Sequence, residues 1–243
     1  MQLNNQPPEK LVKSSGESLD VHSVFYTIQG EGPMAGQPAV FIRLAGCNIQ
    51  CPQCDTEYTK HRQTMPVDAL VDLVLSLRAW DENSGCSSRP LAVITGGEPF
   101  RQNLTPFVER LRLRTQGWYR VQIETNGTLP MSPGLDPRSV TVVCSPKGNL
   151  ISRSIAEFCH YYKFVISSDC VNPVDGLPTR ALGWPVAQLA RPPIGTPACQ
   201  IYLQPADEKD VAINTRNLEA AVKSCMKYGY TLGVQMHKLA NVQ

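Results

Sequence analysis

Cys47-Asn48-Ile49-Gln50-Cys51-Pro52-Gln53-Cys54, entered from the apolar run Ala39-Val40-Phe41-Ile42-Arg43-Leu44, decides how the rest of the chain is read. Three cysteines within eight residues, spaced C-x3-C-x2-C, can wrap one side of a single metal centre. An iron–sulfur cube takes four ligands, normally cysteines, and no fourth cysteine lies nearby in sequence. A cube held here keeps one iron open, just as a catalytic zinc keeps a position that a structural zinc closes.

Three plainer readings compete. A structural zinc knuckle wants a second C-x2-C pair or paired histidines, yet the other cysteines, at 86, 144, 159, 170, 199 and 225, are scattered singly. A thioredoxin-like redox pair at Cys51 and Cys54 leaves Cys47 without a role. Three packing thiols brought together by chance is the third. The open cluster accounts for all three cysteines at once.

Composition bounds the rest. At 243 residues and 42% hydrophobic, the chain suits one domain with an ample core, and α/β barrels often have this length. Twenty-three basic and 21 acidic residues leave a net charge of +2, no field for tracking nucleic acid. Nine cysteines without a regular framework fit a reducing compartment. The start, Met1 to Lys10, has no apolar core of a secretory signal, and no run of about 18 apolar residues exists to span a bilayer. The expectation is a cytoplasmic protein that binds neither membrane nor nucleic acid.

Residues 1–20 are polar and rich in proline, serine and charge, and read as a loose extension before a domain at 21–243. Strands are predicted at Val21–Ile28, Ala39–Leu44, Leu91–Thr95, Tyr119–Ile123, Val140–Val143, Tyr162–Ile166, Gln200–Leu203 and Thr231–Val234. Helical spacing marks Pro66–Trp80, with Val67, Leu70, Val71, Val74 and Leu75 on one face, then Leu104–Leu113 and Leu218–Tyr228. A helical turn is expected before Tyr162, a polar loop at 81–89, and no long helix across the prolines of 167–198.

Strands alternating with helices imply a parallel sheet, whose ligands gather at the carboxyl ends of its strands. The polar and glycine-rich clusters at 47–56, 95–98, 124–127, 145–147, 204–207 and 235–237 each follow such an end, so they are expected to face one cavity. Three clear helices are too few for an eight-fold barrel. The predicted fold is therefore α/β, a partial parallel β/α barrel.

C-x3-C-x2-C after an early strand, with Gly96-Gly97-Glu98-Pro99 ending a later one, resembles the radical S-adenosylmethionine superfamily. A narrower set resembles the 7-carboxy-7-deazaguanine synthases of the queuosine pathway: Gln29-Gly-Glu-Gly32, Phe41-Ile-Arg43, Gly46-Cys47, Cys54-Asp-Thr56, Thr95-Gly-Gly-Glu-Pro99, Glu124-Thr-Asn-Gly-Thr128, Ser145-Pro-Lys147, Gln204-Pro205 and His237-Lys238. The match runs from about residue 22 to the C-terminus. It implies a homodimeric enzyme with an incomplete barrel that turns 6-carboxy-5,6,7,8-tetrahydropterin into 7-carboxy-7-deazaguanine with loss of ammonia. A [4Fe-4S] cluster, S-adenosylmethionine and Mg²⁺ serve as cofactors. A flavodoxin- or ferredoxin-type protein serves as electron donor.

By that resemblance Cys47, Cys51 and Cys54 hold the cluster, and Gln53, Cys54 and Asp55 meet the adenosyl part of the cofactor through their backbone. Gly97 and Glu98 serve its methionine part, where glycine lets backbone come close; two glycines and a proline also make an ordinary turn. Ser145, Pro146 and Lys147 meet its ribose and carboxylate, and Gln204, Pro205, Ala206 and Asp207 close the same site. Thr56 is the Mg²⁺ ligand, Mg²⁺ being a cation that takes few protein ligands and is completed by substrate oxygens; a helix cap is the plain alternative.

The same resemblance implies that Ile28, Gln29, Gly30, Glu31, Arg43, Thr95 and His237 form the pterin pocket. Arg43 offers a planar fork to a carboxylate, though a single charge in an apolar strand can also pair structurally. Glu31 can accept the pterin's N–H donors or merely cap a loop. Two rival functions remain: a glycyl-radical activase with a protein partner, and a non-catalytic metal or redox sensor. The first does not account for Cys54-Asp-Thr56 or Gln29-Gly-Glu-Gly32, and the second gives no reason for the motifs at the later strand ends.

Overall fold

The computed structural model describes residues 3–77, 89–183 and 186–242. Its strands are β1 (Ser18–Ile28), β2 (Pro38–Leu44), β3 (Gln63–Pro66), β4 (Leu91–Gly96), β5 (Arg120–Thr125), β6 (Thr141–Cys144), β7 (Tyr161–Ile166), β8 (Ile201–Pro205) and β9 (Thr231–Leu232). Helices α1 (Val67–Leu77), α2 (Thr105–Arg114), α3 (Arg153–Phe158), α4 (Val211–Tyr228) and α5 (Met236–Ala240) accompany them.

All nine strands join one sheet in the order β3-β1-β2-β4-β5-β6-β7-β8-β9. Every pairing from β2 through β9 is parallel, while β1 runs antiparallel to both β2 and β3. The described strands do not pair β3 with β9, so the barrel stays open, as the scarcity of helices implied.

Alternation along each strand sorts side chains to two faces. Val40, Ile42 and Leu44 of β2, Ala92 and Ile94 of β4, Val121 and Ile123 of β5, and Tyr162, Phe164 and Ile166 of β7 point into one large core under the helices. The other face is the barrel interior. Ala39, Leu91 and Val93 close its floor with Met34 and Phe41, and polar residues occupy the next level. Val67, Leu70, Val71 and Val74 give α1 a buried face at helical spacing. Asp210 starts α4 by accepting from Ile213 N at 2.9 Å, and Gly229, at φ 77°, ends it.

The structure departs from the sequence reading at weakly patterned segments. β3 is short and polar, and exists because Gln63–Pro66 pairs along Ser18–Val21. α4 begins at Val211 rather than near Leu218, because its first turns face solvent and carry no apolar stripe. α5, in the polar tail, was not anticipated. The expected tail of α1 at 78–80 and most of the polar loop at 81–89 lie outside the described residues. Within the proline-rich 167–198 segment the described residues form no α-helix, only a single bridge between Val171 and Pro178 and, at its end, the start of a short 3-10 turn at Ala198–Gln200.

The largest departure is at the N-terminus. Residues 3–17 carry no helix or strand, but they are held against the domain. Asn4 N donates to Pro52 O at 2.9 Å, Glu9 N to Cys47 O at 2.6 Å and Val12 N to Arg101 O at 2.8 Å. β1 then begins at Ser18, so the expected boundary at residue 20 falls inside a strand whose Leu19 and Val21 are core residues. Hydrogen bonds, which apolar periodicity does not report, hold this segment.

Leu70, fully buried where α1 meets the sheet, tests the packing. Leu70→Ala should lower unfolding free energy by about 2–5 kcal/mol, read as a lower denaturant midpoint at unchanged slope.

Candidate active site

The carboxyl ends of the parallel strands open into a cavity of about 420 Å³, within the range of small-molecule sites. Every residue expected at the site lines it except Glu98 and Pro146: the cluster cysteines, Thr56, the 28–31 turn, Arg43, Thr95, Gly97, Ser145, Lys147, residues 204–207 and His237 all reach it.

Glu98 stands behind the wall. It is fully buried, and its carboxylate accepts from Phe100 N at 3.0 Å, Thr125 Oγ1 at 2.8 Å and Asn126 N at 2.7 Å. It clamps the end of β5 to the end of β4. Burial pushes its acid up to about 7 in spite of those donors. Gly96 and Gly97 serve the chain itself first. A Cβ on Gly97 would lie 2.1 Å from Gly46 O and 2.8 Å from Cys47 Cβ, and one on Gly96 2.2 Å from Leu44 O. Glu98 N donates to Gly46 O at 3.0 Å. The Gly-Gly-Glu-Pro turn is thus the seat of the cysteine loop.

Cys47, Cys51 and Cys54 are free thiols facing the one cavity. Burial raises Cys47 to about 12 and Cys51 to about 11, the opposite of what an activated redox pair needs. Among the described residues no three histidines, cysteines or carboxylates are gathered tightly enough to hold a single ion. A cube spreads its thiolates over separate irons. Lys147 adds a cation: it is buried, its Nζ donates to Ser145 O at 3.0 Å and Ser145 Oγ at 2.5 Å, and no described ion pair includes it. Burial lowers its ammonium, while Cys51 opposes that shift. The donor set and its cation fit an anionic cluster with a carboxylate-bearing cofactor beside it.

Across the cavity lies a charge network that the sequence reading caught only in part. Lys163 Nζ of β7 meets Glu31 Oε2 at 2.5 Å and Glu124 Oε2 at 3.5 Å. Gln204 Nε2 and Gln235 Nε2 donate to Glu31 Oε1 at 3.0 and 2.7 Å. Gln29 Nε2 and Gln122 Nε2 both donate to Glu124 Oε1 at 2.9 Å. Burial alone would raise Glu31, but the Lys163 ammonium and these donors hold it down to about 2. Glu31 is therefore an ionised acceptor aimed into the pocket rather than a loop cap. Lys163 was missed although its signal is that of Arg43, one cation in an apolar strand.

Arg43 stands over the Phe25 ring, 5.7 Å from its centroid, which in turn stacks on Phe41. Its Nε is buried without a hydrogen-bond partner. The His237 ring lies so close over Gly30 that a Cβ there would be 1.9 Å from Nδ1; only glycine admits it. Thr56 begins no described helix, so it is not a cap, and its hydroxyl reaches Asp55 Oδ1 at 3.2 Å. Asp207 is engaged with Lys238 at 2.5 Å and Asn214 at 2.8 Å. No described helix is long and apolar enough to cross a membrane.

No family model matches the chain. The 7-carboxy-7-deazaguanine synthase of Rhodospirillum rubrum is 39% identical over 238 residues, covering 93% of this chain and 94% of that protein. That of Rickettsia prowazekii is 34% identical over 248 residues, covering 99% and 96%. The crystal structure of QueE from Escherichia coli shares the fold, with a TM-score of 0.63 and 22% identity over 90% of this chain and 94% of that one.

An open barrel that seats three thiols on a Gly-Gly-Glu-Pro turn at its carboxyl rim is the arrangement of a radical S-adenosylmethionine enzyme. Within that class the chain belongs to the family of 7-carboxy-7-deazaguanine synthases. The class carries a [4Fe-4S] cluster and S-adenosylmethionine.

Lys163→Met tests the network. In the wild type Glu31 sits at about 2 against an ordinary 4.5, so its carboxylate is present above that ordinary value and is lost only as pH falls toward about 2. Without the ammonium, burial is opposed chiefly by the Gln235 hydrogen bond and His237, and protonation begins at higher pH. The acid limb of substrate KM should move up toward neutrality; a superimposable profile would show that Lys163 does not hold Glu31 ionised.

Proposed function

We propose that the chain converts 6-carboxy-5,6,7,8-tetrahydropterin into 7-carboxy-7-deazaguanine with loss of ammonia, as a Mg²⁺-dependent homodimer working in the cytoplasm with a flavodoxin- or ferredoxin-type electron donor. One observation carries the reading. Three free thiols and the unpaired Lys147 occupy one side of a small cavity, and an ionised Glu31 with an unspent Arg43 occupies the other. A cavity of this size also favours a small molecule over a glycyl-radical protein as substrate.

Cys47, Cys51 and Cys54 would hold the cluster, with Lys147 neutralising the carboxylate of S-adenosylmethionine beside it. When bound, these groups supply a 5′-deoxyadenosyl radical able to take a hydrogen from C6 of the pterin and return it. Glu31 accepts from the pterin's amino and ring N–H groups, and Lys163 keeps it charged for that task. Arg43 presents its free guanidinium edge to the substrate carboxylate, held over Phe25 so that little side-chain entropy is lost on binding. His237 on Gly30 and the Gln29 and Gln235 amides close the pterin edge and exclude water. Thr56 offers its hydroxyl to Mg²⁺, with waters and substrate oxygens completing the sphere.

The direct experiment is anaerobic reconstitution with iron and sulfide, strong reductant, S-adenosylmethionine and the carboxytetrahydropterin. The deazaguanine product should appear by mass with S-adenosylmethionine regenerated. Uptake of zinc in place of about four irons per chain, or intact substrate beside a loaded cluster, would overturn the proposal. Thr56→Ala should keep the cluster and S-adenosylmethionine binding and lose the stimulation of turnover by Mg²⁺; unchanged stimulation removes Thr56 from the metal site.

A further inference from the structure

The N-terminal segment does more than run beside the domain. Its inward residues, Asn4, Gln6 and Glu9, all touch the backbone or neighbours of the cysteine loop. Asn4 Nδ2 donates to Cys51 O at 3.1 Å and Gln50 Nε2 to Asn4 O at 3.3 Å. Gln6 Nε2 donates to Thr56 O at 2.9 Å, and Gln6 Oε1 accepts from Tyr58 N at 2.7 Å. Tyr58 is almost fully buried and its hydroxyl donates to Gln6 O at 3.3 Å. Glu9 N reaches Cys47 O. Carbonyls of two cluster cysteines and of Thr56 therefore take their donors from residues 4–9.

Charge ties the same segment to the loop's seat. Arg101 is 3% exposed, and its guanidinium donates to Ala45 O and to Lys10 O, each at 3.0 Å. It packs so closely under Gly46 that a Cβ there would lie 2.4 Å from Nη2. The one described carboxylate that pairs with it is Glu9, at 3.2 Å, which also engages Arg62. Removing that carboxylate leaves a buried cation beneath Cys47 without its counter-charge, a costly state.

We propose that residues 4–9 are a positioning strap for the cluster, with Asn4, Gln6 and Glu9 as its positioning residues. The strap fixes the backbone of Cys47, Cys51 and Thr56 from outside and covers the loop's outer side against water. It rests on the proposed cluster at these three cysteines. Outer partners of metal ligands orient the ligands and limit solvent access, and through both they set retention and redox potential. A cube with three thiolates gains negative charge on reduction, so water admitted by a loosened strap stabilises the reduced state.

Full-length Gln6→Met and Glu9→Gln, both close in size to the native side chains, test this after anaerobic reconstitution. Against a chelator the variants should lose iron about 10- to 100-fold faster than wild type, the range expected for outer-shell partners. Their cluster should bleach faster in air and its reduction potential should rise. The denaturant midpoint of cluster-free Gln6→Met should stay at the wild-type value. That of Glu9→Gln should fall because Arg101 loses its counter-charge, so its iron loss is read without denaturant, where the cluster-free variant is still folded. Failure of Gln6→Met to take up iron at all, with its midpoint unchanged, supports the strap equally. Wild-type iron retention and potential in both variants overturn it, as does a fall in the cluster-free midpoint of Gln6→Met that accounts for the iron loss. If wild type itself takes up no cluster, the proposed function fails instead, so the two failures are told apart.

Discussion

The arrangement depends on the close approach of two strand ends. β2 and β4 lie side by side in parallel register, Leu44 beside Gly96, and just beyond that pair the Gly46 backbone lies so close to Gly97 that Gly97 has no room for a side chain. That contact presses the start of the cysteine loop onto the barrel rim. Glu98 then turns away from the cavity to bind Thr125 and Asn126 of the next strand end, so three consecutive strand ends become one rigid edge. Backbone contacts of this kind tolerate very little, since neither partner can rotate aside as a side chain can.

On that edge the cavity divides by charge. One group has thiols and a lysine with no carboxylate partner among the described residues; the other has a lysine shared between two carboxylates and surrounded by four glutamine amides. A buried ion pair of this sort is weak evidence for stability, because removing charges from water offsets much of their attraction. It is better understood as a holder. Glu31 keeps its charge in a place where burial alone would neutralise it, and Arg43 keeps a donor unspent. The proposed pterin, with N–H groups at one end and a carboxylate at the other, would meet both.

Much of this was legible in the chain because parallel sheets concentrate ligand residues at one end of each strand. Motifs following β2, β4, β5, β6 and β8 could be assigned to one cavity before any contact was known, and the structure brings them there. Lys163 escaped because a lone cation in an apolar strand has the same pattern whether it pairs inside or binds a ligand. Gly96 and Gly97 line the cavity as expected, but the turn also has a structural task that the motif does not announce: Glu98 binds Thr125 and Asn126, and the glycines seat the cysteine loop. A motif states which residues are required, not which neighbour requires them.

The chain alone determined the order of the apolar strands and of the main helices, the three-thiol motif and the presence of a rim site, because apolar periodicity and cysteine spacing are local properties; β3 and α5, which are short and polar, lie outside that signal. Tertiary structure alone decided the role of the first seventeen residues. Their composition reads as disorder, yet Glu9 finds Arg101 and Gln6 finds Thr56 and Tyr58 across about fifty to ninety positions of sequence. Hydrogen bonds and charge pairs over such separations leave no periodic trace, and only folding brings their partners together.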